Sequence, residues 1–252
     1  MTIIVGIVAD ERITLACDSQ TSADNTKRTD TSKISHLLFG AKNVLIAQAG
    51  DCTLSSRAVE IMQKEFLRME FDDWRKPADA AQNAVKLLKQ ELVEINNWKD
   101  HREEEVEYLN LNPFKLMLAY FYEKIPFLYV LDSVPGFATR RYNYVAIGCG
   151  GNIGEYILSH ANLKNMDLQQ ALITAIYTVE EVKRVDLFCG GPTRAAVISP
   201  TTVLMSETET TPLINSAVET LAAYETDLKA QWGSMIDDII KKTSERYKNR
   251  KK

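Results

Sequence analysis

The chain has 252 residues and a formal net charge of −4, and 45% of its residues are hydrophobic and 25% charged. This composition is that of an ordinary globular protein and excludes disorder along the whole chain. No apolar run approaches the roughly 18 residues that a membrane-spanning helix needs. The last twelve residues carry seven basic side chains and one acidic one, so the rest of the chain is acidic and argues against nucleic acid as the main partner.

The cysteines and the N-terminal segment indicate the compartment. The cysteines form no CxxC or CxxH pair, which predicts neither a structural zinc site nor a disulfide scaffold. The first apolar run, Ile3–Ala9, has no basic residue before it and continues into charged residues, so we expect no secretory signal. We therefore predict a cytoplasmic protein without a resident metal or cofactor. The four cysteines are Cys17, Cys52, Cys149 and Cys189.

The first third of the chain predicts strands followed by helices. The β-branched run Ile3–Ala9 is typical of a strand buried on both faces, and residues 13–17 predict a second strand. Residues 19–32 are polar and rich in turn formers, which predicts a long loop. Two more strands are predicted at Ile34–Phe39 and at residues 44–49.

The hydrophobic period then changes from two residues to a helical spacing. Residues 51–70 predict one helix, and Pro77 opens a second helix whose apolar face continues to Ile95. A polar insert with an acidic run occupies residues 96–112. Strands resume at Phe114–Tyr122, and further strands are predicted at residues 127–132 and 144–147.

The remaining elements repeat the same order. A glycine-rich turn precedes a helix at residues 153–161, and Asp167 with Gln170 predicts a capping box for the next helix. Strands follow at residues 195–198 and Val203–Met205, and an amphipathic segment begins at Pro212.

Strands and helices thus come in blocks, which favours antiparallel sheets covered by helices. We predict an α+β fold, a four-layer αββα sandwich with an extra C-terminal helix. Residues 1–205 form the predicted domain. Residues 206–252 are predicted to form a helical extension that packs on this domain or on a neighbouring subunit.

The second residue has unusual chemistry if Met1 is removed. Processing enzymes remove Met1 when the next residue is small, which leaves Thr2 with a free α-amine. The hydroxyl of such a threonine is a nucleophile, and its own amine is a base in the same residue. The α-amine titrates near about 7.7–8.0, so part of it is unprotonated at neutral pH.

The segment that follows resembles the β-type subunits of the proteasome and bacterial HslV, which are N-terminal threonine hydrolases. The family pattern of a threonine, an apolar core and an acidic residue after the second strand matches Thr2, Val5-Gly6-Ile7 and Asp18. The family's lysine before an apolar strand matches Lys33, and its Ala-Gly pair before the first helix matches Ala49-Gly50. The resemblance implies the N-terminal nucleophile hydrolase fold.

Two later landmarks carry cysteine where the family has serine. The family's Gly-Ser-Gly turn corresponds to Gly148-Cys149-Gly150. Its motif of an aspartate, a serine three residues later and two glycines corresponds to Asp186, Cys189 and Gly190-Gly191. Sulfur is a weak hydrogen-bond donor and acceptor, so these changes bear on how the α-amine of Thr2 is held.

The resemblance and the residue chemistry together assign roles. The ammonium of Lys33 disfavours protonation of the neighbouring α-amine, and Asp18 holds that ammonium in place. Gly50 precedes a helix start, where backbone N–H groups point outward and suit an oxyanion. Asp186, Cys149 and Cys189 are expected near the amine of Thr2. By family position, the pocket for the residue before the cleaved bond is lined by Thr21, Gln48 and Cys52.

The resemblance implies a threonine-type endopeptidase, a hydrolase that cuts unfolded polypeptides or peptides inside an oligomeric chamber. The apolar width of the helix at residues 51–70 also indicates contact with a neighbouring subunit. We then expect the assembly to be a homo-oligomeric ring or helical turn. An ATPase unfoldase is implied as a partner by analogy, and neither a membrane nor a nucleic acid is expected as one. Two alternatives stay open, namely a catalytically silent structural subunit and an amidase for small molecules.

Overall fold

The computed structural model describes residues 2–9, 11–23, 26–29, 31–95, 108, 111–161, 163 and 166–205. For residues 22, 23, 26 and 27 it describes the backbone only. All of these residues belong to one compact unit that spans Met1–Thr211. The predicted C-terminal helix and most of the predicted polar insert lie outside the described residues, as does the proposed boundary after residue 205.

The described residues contain twelve strands and four helices of at least ten residues. The strands are β1 (Ile3–Ala9), β2 (Arg12–Cys17), β3 (Thr21–Ala23), β4 (Thr26–Arg28), β5 (Ile34–Phe39), β6 (Lys42–Gly50), β7 (Phe114–Tyr122), β8 (Ile125–Asp132), β9 (Ala138–Arg141), β10 (Tyr144–Gly148), β11 (Arg194–Ile198) and β12 (Val203–Met205). The helices are α1 (Cys52–Phe66), α2 (Lys76–Ile95), α3 (Gly151–His160) and α4 (Leu168–Val185).

Two five-stranded antiparallel sheets form the centre of the fold. The first has the order β10-β1-β2-β11-β12, and the second has the order β5-β6-β7-β8-β9. Helices α3 and α4 contact the first sheet, while α1 and α2 contact the second. The predicted four-layer αββα sandwich is therefore confirmed for the described residues.

Two apolar cores explain why the central strands are hydrophobic on both faces. One core lies between the sheets and contains residues such as Ile4, Leu45 and Met117. The other lies between the second sheet and its helices, and Met62 and Tyr120 are among its fully buried residues. Strand β7 lies between these two cores and has no solvent face along most of its length, and this is why it reads as an almost continuous apolar run.

Three local predictions were wrong. The predicted loop at residues 19–32 contains a hairpin of β3 and β4, and strand β9 was not predicted. These strands have three or four residues and polar sequences, so they carry no hydrophobic period. Helix α1 ends at Phe66 rather than near residue 70, because the chain turns at Leu67.

The apolar width of α1 has a different cause from the one predicted. Leu54, Ile61, Met62 and Phe66 are buried within this chain, where α1 packs on both the sheet and α2. Leu67 is 82% exposed, but it lies just beyond the end of the helix. The width of α1 is thus filled by α2 and no longer supports a contact with a neighbouring subunit.

Candidate active site

The predicted catalytic residues lie where several strands begin or end at one end of the sandwich. Thr2 directly precedes β1, and the register pairs Ile3 with Gly148 at the end of β10. Asp18 directly follows β2, and Lys33 directly precedes β5. Antiparallel pairing brings these strand ends together, so residues far apart in sequence become neighbours.

The Thr2 hydroxyl contacts both a carboxylate and an ammonium group. Its Oγ1 donates to Asp18 Oδ1 at 2.8 Å, and Lys33 Nζ donates to the same Oγ1. Lys33 Nζ also forms an ion pair with Asp18 Oδ1 at 2.7 Å. All three side chains are buried, with Thr2 and Lys33 each 3% exposed and Asp18 fully enclosed. The structure thus brings together the predicted nucleophile and its two charged partners.

Backbone groups hold the two charged side chains in place. The Asp18 carboxylate accepts from Ile3 N at 3.0 Å and from Gly190 N at 3.1 Å. The Lys33 ammonium donates to Gln20 O at 2.6 Å. With these bonds and the ion pair, neither charge is buried without a partner, which is the condition under which buried charges persist in proteins.

Gly50 ends β6 next to Thr2, in a conformation that requires glycine. Its φ is +98°, and a Cβ there would lie 2.2 Å from Pro113 O. Gln48 N donates to Lys33 O at 3.0 Å, whereas Asp51 N donates to Pro113 O at the opposite edge of β6. Because alternate N–H groups of a strand point to the same edge, the Gly50 N–H faces the edge that carries Lys33.

The N-cap of α1 supports this arrangement of Gly50. Asp51 caps the helix and accepts from Leu54 N at 2.8 Å.

A cavity of about 300 Å³ opens beside Gly50, and Thr2 contributes to its wall. Other lining residues are Phe114, Lys115, Gly148 and Cys149. The cavity therefore gives small groups access to the Thr2 side chain.

The turn after β10 holds the Thr2 backbone. Gly148 has a φ of +100°, and a Cβ there would lie 2.1 Å from Thr2 O. Gly150 N donates to that carbonyl at 3.3 Å. The Thr2 nitrogen lies 3.2 Å from Cys149 Sγ. Cys149 thus lies beside the nitrogen, as the sequence predicted.

Cys189 and Asp186 reach the Thr2 nitrogen through Cys149. Cys149 Sγ lies 3.7 Å from Cys189 Sγ, which in turn lies 3.6 Å from Asp186 Oδ2. The hydrogen bond from Cys189 lowers the pKa of Cys149, and the same bond together with burial raises the pKa of Cys189. Asp186 was expected near the amine itself; one of its carboxylate oxygens lies within 4.8 Å of both sulfur atoms, and a role at the amine stays a prediction.

Cys17 lies in a different environment from Cys149 and Cys189. Cys17 ends β2 directly before Asp18, and it is fully buried in the core between the sheets. This burial raises its pKa to about 12. Because the thiolate is the reactive form of cysteine, Cys17 is a packing residue rather than a second nucleophile.

The predicted specificity pocket lies outside the cavity described above. Thr21, Gln48 and Cys52 do not line that cavity. Thr21 shares a hydrogen bond of 2.9 Å with Thr31, and Gln48 Oε1 accepts a long bond of 3.5 Å from Ser56. Their role in substrate selection stays a prediction.

Sequence reasoning missed the backbone partners of the site. The carbonyl of Gln20 and the N–H of Gly190 each bind one member of the charged pair. Every residue carries such groups, so no residue type marks them. The one available signal is the pair Gly190-Gly191, because a Cβ at Gly190 would lie 2.6 Å from Gln20 Oε1.

A family comparison identifies the class of protein that carries this site. The proteasome subunit family matches residues 2–198. The chain belongs to the proteasome subunit family. This finding confirms the resemblance drawn from the sequence, and it makes the chain a proteasome-like subunit. No curated protein sequence matches the chain significantly.

Solved structures of proteasome-like proteins share the fold of this family member. Anbu (ancestral beta-subunit) from Yersinia bercovieri superposes with a TM-score of 0.71 at 16% identity, covering 91% of this chain and 97% of that one. Anbu from Hyphomicrobium sp. strain MC1 gives a TM-score of 0.65 at 15% identity, and its Gly-1 mutant gives 0.66 at 13%. Both cover 90% of this chain and 97% of theirs. At such identities the likeness shows the fold alone.

The longest helix described in this subunit, α2, has 20 residues. None of the described helices is both long enough and apolar enough to cross a membrane.

Proposed function

We propose that this proteasome-family subunit is a threonine-type endopeptidase, in which Thr2 becomes the nucleophile once Met1 is removed. The observation that carries the proposal is the buried contact of the Thr2 hydroxyl with both Asp18 and Lys33. A purely structural subunit has no need to bury an ion pair at a hydroxyl, because desolvating two charges opposes folding.

Removal of Met1 changes the chemistry of the Thr2 nitrogen. The nitrogen is then a primary amine beside Cys149 Sγ instead of part of a peptide bond. The amine accepts the proton of the Thr2 hydroxyl, directly or through a water molecule, while Lys33 stabilises the developing alkoxide. Asp18 keeps the ammonium in this position through the ion pair of 2.7 Å.

The activated oxygen then attacks the carbonyl carbon of a peptide bond. The C–O bond forms, the carbonyl oxygen becomes an oxyanion, and the Gly50 N–H is the donor for that oxyanion. When the C–N bond breaks, the leaving amine takes the proton from the Thr2 amine, and an ester remains on Thr2. Water hydrolyses this ester with the same amine as base, which restores the hydroxyl.

The substrate and the assembly belong to the same proposal. The cavity of about 300 Å³ beside Thr2 is lined mainly by apolar groups, including those of Ala49 and Phe114, so it accepts a peptide segment of modest size. We propose that unfolded polypeptides or peptides are cut in a homo-oligomeric ring or helical turn in the cytoplasm, with an ATPase unfoldase as a partner.

The test compares the wild type with Thr2→Ala on peptide substrates. Alanine keeps a small second residue, so removal of Met1 is still expected, but the nucleophile is lost. Loss of a nucleophile reduces turnover by about 10³-fold or more. Thr201→Ala is the matched control, because Thr201 is an exposed residue in the turn after β11, at the sheet end opposite to the site.

Mass spectrometry of the N-terminus completes the test. The proposal expects a chain that begins at Thr2 and that gains the mass of a threonine-directed covalent inhibitor at that residue. Near-wild-type hydrolysis by Thr2→Ala excludes the threonine mechanism. A chain that retains Met1 and neither hydrolyses peptides nor reacts with the inhibitor favours the silent structural subunit. Hydrolysis of small amides but not of peptides favours the amidase.

A further inference from the structure

Three potential metal ligands lie together beside the Thr2 nitrogen. The thiol groups of Cys149 and Cys189 and a carboxylate oxygen of Asp186 all lie within 4.8 Å of one another. The individual distances are 3.7 Å between the two sulfur atoms and 3.6 Å from Cys189 Sγ to Asp186 Oδ2. The Thr2 nitrogen adds a fourth atom, 3.2 Å from Cys149 Sγ.

Two of these spacings match edges of a tetrahedral zinc site, and the remaining side-chain pair, Cys149 Sγ and the Asp186 oxygen, lies within 4.8 Å. Zinc binds cysteine sulfur at about 2.3 Å and oxygen or nitrogen at about 2.0–2.2 Å. In a regular tetrahedron, two such sulfur ligands are separated by about 3.8 Å, and a sulfur and an oxygen by about 3.5 Å. The observed 3.7 Å and 3.6 Å agree with these separations. The Thr2 nitrogen needs to move outward by only a few tenths of an ångström.

The surroundings both orient the ligands and leave them accessible. Asp186 Oδ1 accepts from Phe188 N at 2.9 Å, so the other carboxylate oxygen is the one that faces Cys189. This is the kind of supporting hydrogen bond that orients metal ligands in proteins. Cys149 is exposed and lines the cavity beside Thr2, which gives a cation a path to the site.

The backbone also allows the two sulfur atoms to approach each other. A Cβ at Gly150 would lie 3.3 Å from Cys189 Sγ and 2.4 Å from a side-chain carbon of Val182. Glycine at this position therefore leaves room for the side chain of Cys189 next to Cys149.

We propose that Cys149, Cys189 and Asp186 form, together with the α-amine exposed by removal of Met1, a tetrahedral site for Zn²⁺ that blocks the active site. Binding replaces the two thiol protons, which leave to solvent, with two metal–sulfur bonds. The lone pair of the Thr2 amine binds the metal and is no longer available to accept the hydroxyl proton. The fourth ligand requires the removal of Met1 that the proposed function assumes, and the inhibition rests on that function, whereas the three side-chain ligands do not depend on peptide hydrolysis.

Cobalt is the spectroscopic probe for this site. Titration of the reduced, metal-free protein with Co²⁺ is expected to give thiolate-to-cobalt charge-transfer absorption that saturates at one ion per chain and disappears when Zn²⁺ is added. Cys149→Ser and Cys189→Ser are expected to lose this absorption. Asp186→Asn is expected to weaken binding by about 10-fold or more. Cys52→Ser, which changes an exposed cysteine outside the cluster, is the matched control and keeps the absorption.

A measurement on the unmutated protein covers the case of a variant that does not fold. Zn²⁺ is expected to protect Cys149 from alkylation, while the exposed Cys52 reacts at an unchanged rate in the same sample. Mass spectrometry of the peptides reads both rates. Equal alkylation of Cys149 with and without Zn²⁺ overturns the proposal, as does a reduced protein without cobalt absorption. A disulfide between Cys149 and Cys189 that re-forms under these reducing conditions overturns it as well.

The active-site threonine separates this proposal from the proposed function. Thr2→Ala keeps the α-amine, so it is expected to bind Co²⁺ like the wild type although hydrolysis is lost. In the wild type, Zn²⁺ is expected to abolish peptide hydrolysis, and a chelator is expected to restore it. Full hydrolysis in the presence of saturating Zn²⁺ contradicts the inhibitory role even if cobalt absorption is observed.

Discussion

Replacing Lys33 by methionine is expected to destabilise the fold as well as to remove activity. Methionine keeps the length and the apolar stem of the side chain but removes the ammonium from Asp18 Oδ1 and from Gln20 O, which lie 2.7 and 2.6 Å away. Asp18 is fully enclosed. Without Lys33, its carboxylate becomes a buried charge with hydrogen-bond donors but without a cation in contact.

The size of the effect follows from the remaining contacts of Asp18. Breaking a buried ion pair by removing one partner costs about 3–5 kcal/mol of the free energy of unfolding. The lower value applies here, because the N–H groups of Ile3 and Gly190 and the Thr2 hydroxyl still donate to the carboxylate. A loss of about 3 kcal/mol corresponds to a decrease in Tm of roughly 6–12 °C for a domain of this size.

A double variant tests whether the charge of Asp18 causes this loss. Lys33→Met with Asp18→Asn removes both charges, so it is expected to recover at least about 1 kcal/mol relative to Lys33→Met alone. The recovery is partial, because the NH2 group of asparagine replaces the oxygen that accepts from Gly190 N, so two hydrogen-bond donors then face each other. Urea denaturation of the wild type, both single variants and the double variant gives the coupling energy.

Two results would refute this reasoning about the buried pair. One is a Lys33→Met variant that loses less than about 1 kcal/mol, which is the range of an exposed ion pair. The other is a double variant whose loss equals the sum of the two single losses, because additivity means that the two side chains do not interact.

Three further predictions concern activity and assembly. Lys33→Ala is expected to reduce peptide hydrolysis more than Cys189→Ser in metal-free assays, because it removes the charge at Thr2; equal losses contradict the assigned roles. Gly50→Ala is expected to abolish hydrolysis, because the added Cβ would collide with Pro113 O and displace the backbone. Gly40→Ala is its control: this glycine also has a positive φ but lies in open space, so the variant loses only about 1–2 kcal/mol of stability and stays active. An active Gly50→Ala contradicts the oxyanion role. Light scattering at micromolar concentration is expected to give a mass well above 28.4 kDa, and a folded monomer contradicts the chamber.

The sequence predicted the fold well where hydrophobic periods are long. Strand β7 was predicted with its observed bounds, because eight of its nine residues are apolar or aromatic, the exception being the exposed Lys115. The capping box at Asp167 was predicted and is present, since its two hydrogen bonds involve residues three apart. Strand β9 was missed, because it is a four-residue strand whose side chains are no more than half-buried. A short strand of this kind is specified by its partner β8 rather than by its own sequence.

The candidate site was predictable as a set of residues but not as a geometry. Thr2, Asp18 and Lys33 adjoin strands that periodicity identifies, and the family pattern links them. In the structure, one oxygen of Asp18 contacts both the Thr2 hydroxyl and the Lys33 ammonium. This double contact depends on the pairing of β1 with β2 and on the course of the chain before β5. Both are tertiary features that no local pattern encodes.

The two cysteines show most clearly how a residue type alters a site without altering its position. In the resembling family, the corresponding serines are small hydroxyl groups that both donate and accept hydrogen bonds. Here the sulfur atoms are 3.7 Å apart, which is a weak hydrogen bond but a good separation for two ligands of one zinc ion.

The relay and ligand roles of the cysteines make different predictions for the same variant. If Cys189 only relays a hydrogen bond to the Thr2 amine, Cys189→Ser preserves or increases hydrolysis and leaves its response to Zn²⁺ unchanged. If Cys189 is a metal ligand, the variant loses its sensitivity to Zn²⁺ whatever its basal rate. Because serine keeps the volume and the hydroxyl of the family residue, the comparison isolates the chemistry of sulfur. A Zn²⁺ titration of hydrolysis by the wild type and by Cys189→Ser therefore distinguishes the two roles directly.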